Sequence, residues 1–173
     1  MKDSNGWEIV STYSTREAVA DGYLVKVDAE ALKETGIKFP VYITRAVWDK
    51  YVTVPRGFDN VQNVEGRLWD VLYMFAVAAV ACAADILTYQ LNVKIPCNVD
   101  WETNEKCIPE LNDKYNIRQV ALKAVIQAQD FDDPSPAIFI MKPNETDYGY
   151  EKNFRKLPPD GGSFFQRLYC RTY

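Results

Sequence analysis

An α+β domain is the fold class this sequence predicts, and three observations predict it. Residues 66–84 form a long apolar helical stretch with Leu68, Leu72, Phe75 and Ala79 on one stripe and Val71, Met74 and Ala78 beside it. ILTYQLNVKI (86–95) alternates, with Leu87, Tyr89, Leu91, Val93 and Ile95 facing one way and polar residues the other. Toward the N-terminus, short capped helices alternate with short β-branched runs. The expected architecture is a mostly antiparallel sheet of four or five strands packed against a long buried helix (66–84), with short N-terminal helices. At 173 residues the chain is read as a single domain.

Taken in order, WEIVSTY (7–13) is a candidate first strand. Ser14 and Thr15 can cap a short helix, REAVAD, which Gly22 stops. YLVKV (23–27) reads as a strand, and Asp28 can cap AEALKET, ended by Gly36. FPVYI (39–43) is extended, because Phe39 precedes a proline. Thr44 can cap a helix to about Val52, which the turn Val54-Pro55-Arg56-Gly57 breaks. A polar loop then leads into the long helix, which turns apolar nearly all round after Val71 and so reads as the spine of the core. VALKAVIQAQ (120–129) alternates like a strand, and DFDDPSP connects it to AIFIMK (137–142) as an antiparallel partner. Residues 96–116 look like an inserted loop, and loops this long are often functional. From about 144 to 173 the chain is an aromatic-rich tail without periodicity.

Composition restricts the chemistry. A hydrophobic share of 47% with 25% charged residues belongs to a globular chain. The net charge of −4 disfavours general nucleic-acid or membrane-surface binding. The chain has no histidine, which removes Ser-His-Asp and Cys-His catalysis and H-E-x-x-H zinc sites. Any acid or base must be Asp, Glu, Lys, Tyr or Cys. No metal site or cofactor is expected: there is no C-x-x-C pair, no phosphate loop and no G-x-G-x-x-G. Cys97 and Cys107 flank CNVDWETNEKC, where either a disulfide or two free thiols is possible. The absence of a secretory signal favours free thiols and a cytoplasmic location. The apolar run from Val71 to Ala84 is too short to span a bilayer.

Three arginines, Arg16, Arg45 and Arg67, fall at expected helix starts, where the helix dipole disfavours a cation. They could converge on a small anionic ligand, or pair internally with Glu17, Glu65, Asp49 or Asp70. Trp48 and Trp69 could form an aromatic wall, or be core anchors. Asp70 and Glu65 are candidate acid–base carboxylates or dipole partners. Asp130, Asp132 and Asp133 lack the EF-hand pattern and read as loop charge. Trp101 in the insert and Tyr148, Tyr150, Phe154, Phe164, Phe165 and Tyr169 in the tail suit a protein interface. The tail's basic residues would allow nucleic-acid binding with steep salt dependence, the least favoured of the three readings.

STYSTREAVADGYLVKV, KFPVYITRAVW and EGRLWDVLYM together resemble a family of small uncharacterised bacterial proteins, often carried on plasmids, phages and other mobile elements. The resemblance covers roughly residues 9–95 and, more weakly, 120–142. Its most specific part is Phe39–Trp48 followed by Glu65–Leu72. It implies an accessory gene, including those that counter host defence, and supplies no catalytic residues to carry over. The insert and the tail depart from the family's pattern. The leading expectation is a non-enzymatic protein-interaction module, followed by a small-molecule or nucleotide binder using arginines for an anionic group.

Overall fold

The computed structural model describes residues 13–82, 84–107 and 116–145. The candidate strand 7–13, save Tyr13, and the tail aromatics from Tyr148 to Tyr169 lie outside the described residues. The described part is an α+β fold built on one six-stranded sheet. Its strands are β1 (Leu24–Lys26), β2 (Val41–Thr44), β3 (Ile86–Ile95), β4 (Glu105–Cys107), β5 (Asn116–Ala128) and β6 (Pro136–Met141). The order across the sheet is β1-β2-β6-β5-β3, with β4 also pairing with β5.

The sheet is mostly antiparallel, as expected, with one exception among its pairings: β2 and β6 run parallel, Tyr42 level with Phe139. Sequence alternation gives a strand's faces but not its distant neighbour, and β6 inserts between β2 and β5. That central place explains PAIFIM, where every residue after Pro136 is buried. Ile138 and Ile140 join the main core, while Ala137, Phe139 and Met141 join Tyr42 and Val125 on the opposite face. Phe139 stacks on Tyr42 there, ring centroids 5.2 Å apart.

The main core lies between the sheet and α4 (Val64–Ala81), the long helix. It begins two residues before the expected start and ends three before the expected end. Asn63 caps it: the side-chain oxygen accepts from the Gly66 amide at 2.8 Å. A Cβ on Gly66 would sit 2.7 Å from that same oxygen, so glycine lets the cap close. The first helix, α1 (Thr15–Ala20), opens with a capping box in which Ser14 accepts from the Glu17 amide and Glu17 accepts from the Ser14 amide. The second helix is α2 (Ala29–Glu34).

Two local expectations change. The segment after Thr44 starts as a short helix, α3 (Arg45–Val47), then widens into a π-helical turn, Trp48–Val52. Its signature is the bond from the Thr53 amide to the Trp48 carbonyl, five residues back. The supposed insert is partly sheet: β4 lies within it, and β5 begins at Asn116, not near 120. The core is therefore larger at this end than the sequence implied.

Candidate functional site

Arg67 organises one end of the molecule. It lies in the first turn of α4, 6% exposed. Its Nε donates to the Tyr51 carbonyl at 2.9 Å, one terminal nitrogen donates to Gln62 Oε1 at 2.5 Å and the Lys94 carbonyl at 3.1 Å, and the other donates to the Lys50 carbonyl at 3.3 Å. The Lys50 and Tyr51 carbonyls end the π-helical turn, where helix carbonyls lose their internal donors. The guanidinium thus ties together the turn, the helix start and the end of β3. Burial pushes its pKa down, against the pull of Asp70's charge.

The three arginines do not share a site. Arg16 is exposed and pairs with Asp132 at 3.3 Å, at the β5–β6 turn. Arg45 is exposed and pairs with Asp49 at 2.9 Å, one helical turn on. Internal pairing was the alternative reading, and two carboxylate pairs exist, though Arg16 chooses a residue over one hundred positions away. Arg67 departs from both readings, because its partners are mostly backbone carbonyls.

Beside Arg67 lies a cleft of about 360 Å³ between the start of α4 and the outer side of β3. Its walls include Arg67, Trp69, Asp70, Asn63 and Asn92. The cleft therefore gathers Arg67, Trp69 and Asp70 and leaves out Arg16, Arg45 and Trp48. Trp48 is half-buried and packs on the main core. Partial burial pushes the Asp70 carboxyl up, opposed by the nearby Arg67 charge. Trp69 is 37% exposed and stacks on Tyr73, centroids 4.5 Å apart.

Trp69 also begins an exposed stripe. Trp69, Tyr73, Val77 and Val80 follow at helical spacing, and all four are exposed. The apolar circumference of α4 had suggested burial on every side. The sheet covers one side only, so the helix is the spine of the core and a surface helix at once.

A second polar centre escaped the sequence reading. Arg118 and Glu105 have fully buried side chains joined at 2.8 Å. Arg118 also donates to the Asp100 carbonyl at 3.1 Å and the Val99 carbonyl at 2.6 Å, and the Trp101 ring covers it at 4.0 Å. Glu105 accepts from Tyr51 at 2.8 Å and pairs with Lys50 at 3.0 Å. Lys50 and Lys142 both reach Glu102, at 3.0 and 2.7 Å. Burial and the bond to Glu105 push the Tyr51 phenol up, which keeps it protonated at neutral pH. The network pins the 99–105 segment to the π-helical turn, to β5 through Arg118 and to Lys142 just after β6. Trp101, an interface candidate, here serves partly as a lid on Arg118. The signal was legible: Arg118 falls in phase with Val120, Leu122, Ala124 and Ile126 on the core face of β5.

The acidic loop is bound up in turns. Asp130 accepts from the Phe131 amide at 2.8 Å, and Asp133 accepts from Ser135 and Gln129. Among the described residues, no group of three or more possible ligands could hold a metal ion. Cys97 and Cys107 are exposed and are not joined to each other in a disulfide. No helix among the described residues is long and apolar enough to cross a membrane.

Fold and site together define an α+β sheet-and-helix domain with a cleft at a helix start, an exposed apolar helix face and a buried internal ion network. By its sequence the chain belongs to a family of unknown function, DUF6573, whose model matches residues 2–146. The matched span runs across residues 96–116 and ends at residue 146, before the tail. No curated protein and no solved structure matches the chain.

Proposed function

We propose that this chain is a non-enzymatic protein-interaction module that binds its partner through the exposed side of α4. The observation that carries this is the Trp69–Tyr73–Val77–Val80 stripe. Contiguous apolar surface of this kind marks interaction sites in soluble proteins. Trp and Tyr are the side chains most enriched among binding hot spots. The setting implied by the resemblance belongs to the same reading: an accessory gene of a plasmid, phage or other mobile element, including those that counter host defence. A cytoplasmic location fits the exposed thiols Cys82 and Cys107.

The test is affinity capture from host extract with wild type and with Trp69→Ser/Tyr73→Ser. Both positions are exposed, so each change should alter stability by only about 0.5 kcal/mol. The expected result is a stoichiometric partner captured by wild type and lost by the variant at unchanged Tm. Equal capture by both proteins would refute the assignment.

A second reading places a small ligand in the cleft. Its volume of about 360 Å³ is at the small end of ligand pockets, and Trp69 offers a stacking face beside the Asp70 carboxyl. The arginines contribute less than the sequence suggested, since Arg67 is engaged and Arg16 and Arg45 lie elsewhere. A nucleotide at a hundred times its Kd would stabilise the fold by roughly 2.7 kcal/mol. A panel that produces no thermal shift would remove nucleotides as ligands.

A further inference from the structure

Among the described residues β3 ends the sheet, with β5 on its inner side and a row of backbone groups open on its outer edge. Its ladder with β5 runs unbroken from Ile86↔Val125 to Ile95↔Asn116. The Ile126 amide donates to the Asp85 carbonyl at 2.7 Å, so odd-numbered residues of this strand face β5 and even-numbered ones face outward. The Lys94 carbonyl confirms the phase, because it points out of the sheet to Arg67. That leaves Ile86, Thr88, Gln90 and Asn92 with outward-facing amides and carbonyls, and all four residues are exposed.

Natural edge strands are protected by charges, prolines, bulges or short length. Between Ile86 and Val93 this strand has no charged residue, no proline and no glycine, and its ladder has no bulge. An edge this long and this unprotected is built to be paired.

We propose that it pairs with the same edge of a second copy, antiparallel across a two-fold axis at Tyr89. Centring the axis on the free stretch sets Ile86 against Asn92 of the second copy and Thr88 against Gln90. Each outward residue then donates and accepts one bond, about eight across the seam. On the α4 side, Leu87 comes level with Leu91 of the second copy, and Tyr89 meets its own counterpart. On the other side the pairs are uncharged. The arrangement is self-complementary in hydrogen bonding and polarity, as an isologous interface requires. It uses the strand edge and not the exposed helix face, although Asn92 at one end of the seam also lines the cleft beside Trp69.

Sedimentation equilibrium of the full chain over a concentration series tests this. Wild type is expected to show a reversible monomer–dimer equilibrium. Gln90→Pro removes an outward amide that no internal bond uses, and should give a monomer with the wild-type circular dichroism spectrum. Thr88→Lys/Gln90→Lys sets lysines opposite lysines at exposed positions, and should weaken association by roughly tenfold or more. Mixing it with Thr88→Glu/Gln90→Glu should restore association as a heterodimer. The charge variants decide the matter even if the proline variant fails to fold. A wild type monomeric throughout, or a dimer indifferent to these changes but dissolved by Trp69→Ser/Tyr73→Ser, would overturn the proposal.

Discussion

Replacing Glu105 by alanine is expected to destabilise the fold by about 3–5 kcal/mol, the cost of stranding a buried charge. Arg118 has a fully buried side chain, and Glu105 is the carboxylate it touches. Without Glu105 the guanidinium keeps only the Val99 and Asp100 carbonyls, while Tyr51 and Lys50 also lose an acceptor. The double replacement Glu105→Leu/Arg118→Met should recover most of the loss, because it removes the charge together with its partner. Urea denaturation of the three proteins gives the comparison.

The same pair predicts a pH dependence. Burial alone would raise the Glu105 pKa, but hydrogen bonds from Lys50, Arg118, Tyr51 and the Glu102 amide more than offset it and hold the carboxyl below its ordinary value. Glu102 is also held low by Lys142 and Lys50, against its own burial. A carboxyl depressed in the folded state binds fewer protons there than in the unfolded chain. Its contribution is therefore complete above the ordinary carboxylate pKa of 4.5 and is lost as pH falls through the lower folded value. Wild type should lose stability in that acidic window more steeply than Glu105→Gln, which has no proton to gain at this site.

The second large effect is expected at Arg67. Arg67→Met keeps the stem but leaves the Lys50, Tyr51 and Lys94 carbonyls without their donor. Each buried group left unsatisfied costs about 1–3 kcal/mol, so a loss of roughly 3 kcal/mol or more is expected. Arg67→Lys should restore little, because one ammonium cannot reach carbonyls on two elements as a planar fork does. Hydrogen exchange should localise the damage, with faster exchange at the Thr53 amide that closes the π-helical turn. An arginine held for a ligand would behave differently, its replacement leaving stability unchanged or improved. The expected loss is what separates a brace from a binding group.

Much of the architecture was legible because it is written locally. The alternation of β3 gave its length and both faces to the residue, and Ser14 marked the start of α1. The long helix showed in its stripe of Leu68, Leu72, Phe75 and Ala79. What could not be read depends on distant partners. Nothing within PAIFIM says that β6 lies parallel beside β2. The π-helical turn depends on donors from Arg67, fifteen or more residues away. The exposure of Tyr73, Val77 and Val80 depends on how far the sheet reaches over α4. At the site, Arg67, Trp69 and Asp70 were named and do line one cleft. Their expected companions Arg16 and Arg45 were drawn off by Asp132 and Asp49. Arg118 was overlooked although its phase in β5 placed it inside.

The central proposal is that the exposed side of α4 is the functional surface and that Arg67 braces the start of that helix. Titrating the captured partner against wild type and Val77→Asp tests this most directly, with Tm measured on the same samples. Val77 is 48% exposed, so the account predicts about a tenfold loss of affinity or more at a nearly unchanged Tm. Undiminished affinity would contradict it.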